Sequence, residues 1–199
     1  MRKLCLLFLL IGTYCYAGER KYTVDSPDGK IQLAIIQTDA GELTYQLSVK
    51  RKQVIDASAL GFKTEDGVTF PFRGWKMGKV TRNKVNSVWK PLWGKRAVVP
   101  DKYNEMKLSF VNEAKSSDAL EVVARAYNEG VAFRYVSPQD AGSALELTTF
   151  NFAGDYTAWF YNGERHNIGP ERLTETDGER LPVMTVKAAD DLYLAVHEA

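Results

Sequence analysis

The chain has 199 residues and a formal net charge of +1, with 26 basic and 25 acidic residues. This balance leaves no basic surplus to drive nucleic-acid binding, and no basic amphipathic stretch suggests binding to a membrane surface. A chain of this length can bury a core large enough to stabilise a domain.

The first seventeen residues have the pattern of a secretory signal peptide. A basic start at Arg2 and Lys3 precedes the apolar run Leu4–Ile11, and the small residue Ala17 stands before Gly18. The run is too short to span a membrane as a stable helix, although a retained anchor is the alternative. We expect cleavage after Ala17, which leaves residues 18–199 as the exported domain.

The two cysteines, Cys5 and Cys15, both lie inside this leader. The mature chain therefore has no disulfide, which fits a bacterial periplasm or cell surface better than a eukaryotic secreted domain. Cleavage also removes Arg2 and Lys3 and changes the formal net charge to −1. No other apolar run approaches membrane-spanning length, so we expect no membrane span after cleavage.

The mature chain reads as one short strand after another. Leu43–Val49 alternates apolar and polar side chains, which is typical of a half-buried strand. Further predicted strands are Tyr22–Val24, Lys30–Ile36, Lys107–Val111, Leu120–Tyr127, Gly130–Tyr135, Leu145–Phe150, Ala158–Tyr161, Met184–Lys187 and Leu192–His197. Many short strands separated by polar turns favour an antiparallel β-sandwich or barrel. With no linker and no internal repeat, we expect one all-β domain.

Two tryptophans flank a proline in the stretch Trp89–Gly94, which shows no strand alternation and is predicted to be an ordered loop. An indole face can stack on a sugar ring or anchor an interface between domains. The alternative is a loop that fills the end of the sandwich core. Trp89 and Trp93 are therefore candidates for substrate or interface contacts.

Tyr103-Asn104-Glu105 stands just before Met106 and the predicted strand Lys107–Val111. Its three polar tips could hydrogen-bond a ligand or a neighbouring loop, and a structural role fits them better than catalysis. Tyr103 and Glu105 are retained as candidate substrate or interface residues.

A β-hairpin is predicted over Tyr127–Tyr135, with a tight turn at Asn128-Glu129-Gly130. Alternation places Val131, Phe133 and Tyr135 on one face of the second strand. Arg134 then points to the other face, where we expect it to pair with a carboxylate.

The last predicted strand carries His197 and Glu198 at its tip. A carboxylate at a strand end suits a hard cation such as Ca²⁺, or acid–base chemistry when paired; the alternative is a solvated surface residue. We expect groups outside this sequence to complete such a site, which makes the chain the front part of a larger protein. No motif places a pair of carboxylates, a nucleophile elbow, a zinc site or a phosphate loop. We therefore predict no catalytic residue here.

These patterns follow one another along nearly the whole mature chain, and in this order the chain resembles the N-terminal domain of glycoside hydrolase family 97, which includes a bacterial α-glucosidase of starch utilisation. The segments that carry the resemblance are Ser26–Gly29, Trp89–Gly94, Tyr103–Glu105, Tyr127–Tyr135 and Leu192–Ala199.

The resemblance implies a β-super-sandwich similar to galactose mutarotase, followed in family members by a (β/α)₈ barrel that carries the catalytic carboxylates. The barrel and the last sandwich strands have no counterpart in this sequence, so the expected sandwich is incomplete at its C terminus. Members hydrolyse α-glucosidic or α-galactosidic bonds. Their active-site Ca²⁺ takes one carboxylate from the N-terminal domain, and Glu198 matches that position.

Three functions follow from these observations. The first is a carbohydrate-binding and interface domain of an exported α-glycosidase, not catalytic alone, that contacts an α-linked oligosaccharide and the missing barrel. The second is a stand-alone carbohydrate-binding module, whose glycan binding should fall on Trp93→Ala. The third is a mutarotase-like epimerase, for which His166 and Glu198 form the one available acid–base pair. In the first function Glu198 supplies a calcium ligand, with His197 beside it.

Overall fold

In the computed structural model, residues 19–65, 67, 69–71, 74–113, 119–137, 142–161, 163 and 167–198 are described. The predicted signal peptide and His166 lie outside these residues. The described residues form fifteen strands and one short 3₁₀ turn over Leu173–Glu175. No helix in this part of the chain is long and apolar enough to cross a membrane.

The strands form four antiparallel sheets. In chain order they are β1 (Arg20–Asp25), β2 (Ile31–Gln37), β3 (Leu43–Val49), β4 (Lys52–Leu60), β5 (Phe62–Thr64), β6 (Thr69–Phe70), β7 (Trp75–Trp89), β8 (Val99–Asn112), β9 (Ala119–Tyr127), β10 (Val131–Val136), β11 (Ala144–Glu146), β12 (Thr157–Tyr161), β13 (Asn167–Arg172), β14 (Leu181–Ala189) and β15 (Leu192–Val196). The sheet orders are β1-β2-β3-β4, β10-β9-β8-β7, β11-β5-β6 and β13-β12-β14-β15.

The first two sheets pack face to face and enclose the main core. Alternation along each strand turns one set of side chains inward, so that Leu33 and Tyr45 of the first sheet meet Leu108, Phe110 and Val122 of the second. All five are almost completely removed from solvent. The fold is therefore an all-β sandwich, as the spacing of strands and turns predicted.

The fourth sheet has a smaller core of its own, built on Ala158, Phe160 and Val186. Phe152 packs against both cores, and an isolated bridge pairs it with Ile55 of β4. The segment between β11 and β12 thus joins the fourth sheet to the sandwich.

Several predicted elements are confirmed. Leu43–Val49 is β3, and its apolar face packs in the main core. The hairpin β9–β10 forms as predicted: Tyr127 N donates to Gly130 O at 2.8 Å, and Phe133 points into the core. Arg134 is exposed, and none of the ion pairs among the described residues involves it.

Three boundaries are corrected. Tyr103-Asn104-Glu105 does not precede a strand but lies inside β8, which begins at Val99. Trp89 is the last residue of β7, a fifteen-residue strand that the sequence did not reveal because most of its residues are exposed on both faces. The strand expected over Leu145–Phe150 ends at Glu146.

The turn between β1 and β2 holds a carboxylate in a dense set of donors. Asp28 Oδ1 accepts from the Ser26 hydroxyl at 2.7 Å and from Lys30 N at 3.1 Å, while Lys30 Nζ lies 3.0 Å from Oδ2. The Ser26 hydroxyl, followed by the hydrogen bonds from Lys30, lowers the pKa of Asp28 to about 2. Because this pKa lies below its ordinary value, the charged turn stabilises the fold above about pH 4 and loses that contribution as the pH falls toward 2.

We expect Ser26→Ala to raise the pKa of Asp28 toward its ordinary value, since the substitution removes the largest stabilising hydrogen bond. An NMR titration of the carboxyl carbons measures this directly. Asp190, whose pKa is lowered by Lys187 instead, serves as the control and should not change. An Asp28 pKa that stays near 2 in Ser26→Ala would contradict this account of the turn.

Candidate functional site

Strands β7 and β8 continue beyond the sheet as a two-stranded ribbon. Pairing of β8 with β9 begins at Tyr103, opposite Tyr127, whereas pairing of β7 with β8 continues to Trp89, opposite Val99. Residues 86–102, which we name the arm, therefore have no third strand beside them in the described structure. The nine residues 90–98 close its tip.

The arm exposes apolar side chains that would ordinarily be buried. Trp93 is 87% exposed, Leu92 fully exposed and Trp89 54% exposed. Val88 and Val98 add to the same exposed set. An apolar group of this kind on a projecting ribbon marks an interaction surface. The expectation that the loop fills the end of the core does not fit these exposures.

The arm is also basic. Lys90, Lys95 and Arg96 are all exposed at its tip, and Asp101 is the one acidic residue within 86–102. Cationic side chains interleaved with tryptophans suit a partner surface that combines acidic groups with apolar pockets.

A buried ion pair lies at the base of the arm, on the outer face of the second sheet. Tyr103 and Glu105 are each only 6% exposed. Arg125 Nε donates to Glu105 Oε2 at 2.8 Å, and its guanidinium carbon lies 4.3 Å from the centre of the Tyr103 ring. The Tyr127 ring stands 5.0 Å from that of Tyr103, and Lys107 Nζ lies 3.9 Å from Glu105 Oε1.

Burial and charge act together in this cluster. Burial raises the pKa of the Tyr103 hydroxyl, although the Arg125 cation opposes this. Burial is the largest single effect on the Arg125 cation and disfavours it. The hydrogen bonds to Glu105 and Tyr127, together with the interactions with the charged forms of Tyr103 and Glu105, outweigh burial and raise the pKa of Arg125. The Glu105 carboxylate is thus paired with a cation. The cluster holds the foot of the arm in place and does not provide a free group for proton transfer.

His197 and Glu198 follow β15 directly, and both are exposed. The described residues contain no group of three or more His, Cys, Asp or Glu side chains that could hold a metal ion. Because Ca²⁺ takes about six to eight oxygen ligands, Glu198 fits as one exposed ligand of such an ion but does not form a site with its neighbours.

The site residues predicted from the sequence lie in separate parts of the structure. Trp89 and Trp93 share the arm, and Tyr103 and Glu105 share its base, while Glu198 belongs to the end of another sheet. The proposed acid–base pair of Glu198 with His166 cannot be placed, since His166 lies outside the described residues.

Sequence reasoning missed Arg125, the residue that ties the base together. Its signal was the one cation within the largely apolar strand Ala119–Tyr127. Such a charge on a largely buried strand needs a carboxylate across the sheet, and Glu105 is its register partner.

Comparison with known proteins gives a consistent result. The family model described as Glycosyl-hydrolase 97 N-terminal matches residues 24–199. A retaining alpha-galactosidase of Bacteroides thetaiotaomicron is 22% identical over all of this chain and 32% of its own length. A probable retaining alpha-galactosidase of Streptomyces bingchenggensis is 29% identical over 80% of this chain and 26% of its own length.

Solved structures agree with these relatives. A glycoside hydrolase family 97 enzyme from Pseudoalteromonas sp. strain K8, in complex with acarbose, matches with a TM-score of 0.62 and 34% identity over 70% of this chain and 22% of its own. The chain thus spans less than a third of the length of each of these relatives. From the match over residues 24–199 we conclude that the chain belongs to glycoside hydrolase family 97, as the N-terminal domain of that family.

Proposed function

We propose that this chain is the carbohydrate-binding and interface domain of an exported bacterial α-glycosidase and is not catalytic alone. The observation that carries the proposal is the exposed apolar arm, with Trp93 87% exposed. Apolar side chains of this size are exposed in an isolated domain when a partner covers them in the assembled protein. Tryptophan is also among the residues that contribute most to the binding energy of interfaces.

The occupant of the arm is the catalytic barrel, which corresponds to the part of the relatives that this chain does not match. The basic tip of the arm requires acidic groups on the barrel surface facing it. The buried Glu105–Arg125 pair fixes the direction in which the arm projects. Export rests on the signal peptide pattern of residues 1–17.

The second element of the proposal is a calcium ligand. Glu198 is an exposed carboxylate just after the end of β15. Two residues before it, Val196 pairs with Met184 of β14, and this pairing holds the backbone in place. A hard cation favours such an oxygen ligand, and the remaining ligands would come from the barrel.

A chimera tests the calcium ligand: residues 19–198 replace the N-terminal domain of the Pseudoalteromonas enzyme. We expect Glu198→Gln to raise the Ca²⁺ concentration needed for half-maximal thermal stabilisation by about tenfold, since an anionic ligand is lost. The same shift should appear in activity. Glu179→Gln, another exposed glutamate, is the matched control. Equal calcium dependence in the two variants would remove Glu198 from the site.

A stand-alone carbohydrate-binding module is the second candidate, favoured by the same exposed tryptophans. The two functions differ in what covers Trp93. A module binds glycan at the arm as an isolated chain, whereas an interface domain binds the barrel there.

A further inference from the structure

A second concave region lies away from the arm, between β4 of the first sheet and the fourth sheet. It is a cleft of about 690 Å³, within the range of ligand-binding sites. Its lining includes Asp56 of β4, Phe150 and Phe152 of the segment between β11 and β12, and Arg180 and Met184. We propose that this cleft binds a neutral pyranose sugar.

The cleft offers an aromatic surface held in place by its backbone. Phe150 is 41% exposed, and its ring stands edge-on to Tyr45 at 6.2 Å. The next residue is fixed on both sides: Asn151 N donates to the Ser58 hydroxyl at 2.8 Å, and Asn151 O accepts from Asp56 N at 2.7 Å. A ring presented this way can stack on the apolar face of a sugar without losing much freedom on binding.

Arg180 supplies an unsatisfied donor. Its side chain is 19% exposed, and Nε is buried without a hydrogen-bond partner in the described structure. Of the other guanidinium nitrogens, Nη1 donates to the carbonyl of Glu179 at 3.0 Å, whereas Nη2 has, among the described residues, only the exposed Asp177 carboxylate at 3.6 Å. A buried donor without an acceptor is costly. Because Nε is itself closed to solvent, a ligand oxygen would meet the terminal nitrogen beside Asp177 first, and reaching Nε would require the guanidinium to turn.

The charges around the cleft select the ligand class. Asp155 accepts from Thr174 N at 3.0 Å and from Arg172 Nε at 2.8 Å, and these hydrogen bonds lower its pKa. Arg172 balances Asp155. Asp56 is a second carboxylate in a lining that also holds the Arg180 cation, so the cleft has no cationic surplus to hold an anionic ligand. Carboxylates, an arginine donor, threonine hydroxyls and an aromatic ring together match the hydroxyls and apolar face of a neutral sugar.

This inference goes beyond the docking role of the arm, because the cleft uses none of the arm's residues. Titration calorimetry of the purified chain with maltotriose and with melibiose tests it, and a trimer of galacturonate is the anionic probe. We expect one of the neutral sugars to bind and Arg180→Met to weaken that binding about tenfold, since the donor is lost. Arg134→Met, an exposed arginine on another sheet, is the matched control.

Trp93→Ala separates the two proposals. Sugar binding lost in Trp93→Ala but kept in Arg180→Met would overturn the cleft assignment and place the sugar on the arm. Absence of binding by a folded chain, or tighter binding of the galacturonate trimer, would also overturn it. If Arg180→Met does not fold, amide shifts of the unsubstituted chain decide: maltotriose or melibiose should perturb Asp56 and Thr174, and unperturbed amides there would refute the proposal.

Discussion

Glu105→Gln is expected to destabilise the fold by about 2 kcal/mol, although it preserves the shape of the side chain. Glu105 is 6% exposed, and the substitution leaves the Arg125 cation on the Tyr103 ring without its carboxylate. Removing one partner of a fully buried pair costs about 3–5 kcal/mol. The loss expected for Glu105→Gln is smaller than this range because the Arg125 side chain is 34% exposed and partly screened by solvent.

Urea denaturation of four proteins measures this effect: the unsubstituted chain, Glu105→Gln, Arg125→Met and the double variant. The coupling free energy from this cycle should be about 1–2 kcal/mol. Lys107→Met is the matched control, since Lys107 lies 3.9 Å from the same carboxylate and its side chain is 42% exposed. We expect a loss below about 0.5 kcal/mol for that variant. Equal losses for Arg125→Met and Lys107→Met would show that Arg125 has no special role at the base of the arm.

Trp89→Ala and Trp93→Ala are each expected to weaken binding to a family 97 catalytic barrel by about 2 kcal/mol, close to thirtyfold in affinity. Both indoles are largely exposed in this chain, so neither substitution should change its free energy of unfolding by more than about 0.5 kcal/mol. A separation of affinity from stability is the signature of an interface residue.

The affinity is measured by titrating the chain with the Pseudoalteromonas enzyme after removal of its N-terminal domain. Leu145→Ala is the control, because Leu145 is an exposed apolar side chain of β11, outside the arm. Equal affinities for Trp93→Ala and Leu145→Ala would place the barrel elsewhere on the domain. Loss of folding in Trp93→Ala would instead mean that the arm packs on its own domain.

The elements that the sequence predicts well are those whose burial alternates. Leu43–Val49 and the hairpin around Asn128 place one face in the core, and their pattern gives strand, face and turn together. β7 lacks this signal because most of its residues are exposed, and its last four, residues 86–89, lie in the arm, where neither face is buried. β7 is a strand along its full length because it pairs with β8, and this pairing leaves no periodic pattern in the sequence of β7.

The candidate site was only partly accessible to sequence reasoning. Trp89 and Trp93 could be chosen from residue type, since an indole serves either a core or an interface, but their exposure decides between the two. The link between Glu105 and Arg125 depends on the register of β8 and β9, which is a contact between residues twenty positions apart. The cleft at Arg180 joins segments more than a hundred residues apart, and no local pattern marks it.

The central claim, that the arm docks onto a catalytic barrel, is tested most directly by the titration of the unsubstituted chain. We expect a one-to-one complex with a dissociation constant of about 1 μM, which corresponds to about −8 kcal/mol. The complex should weaken as salt rises, because the basic tip faces acidic groups. A folded chain that shows no association with the barrel at any salt concentration would contradict the claim.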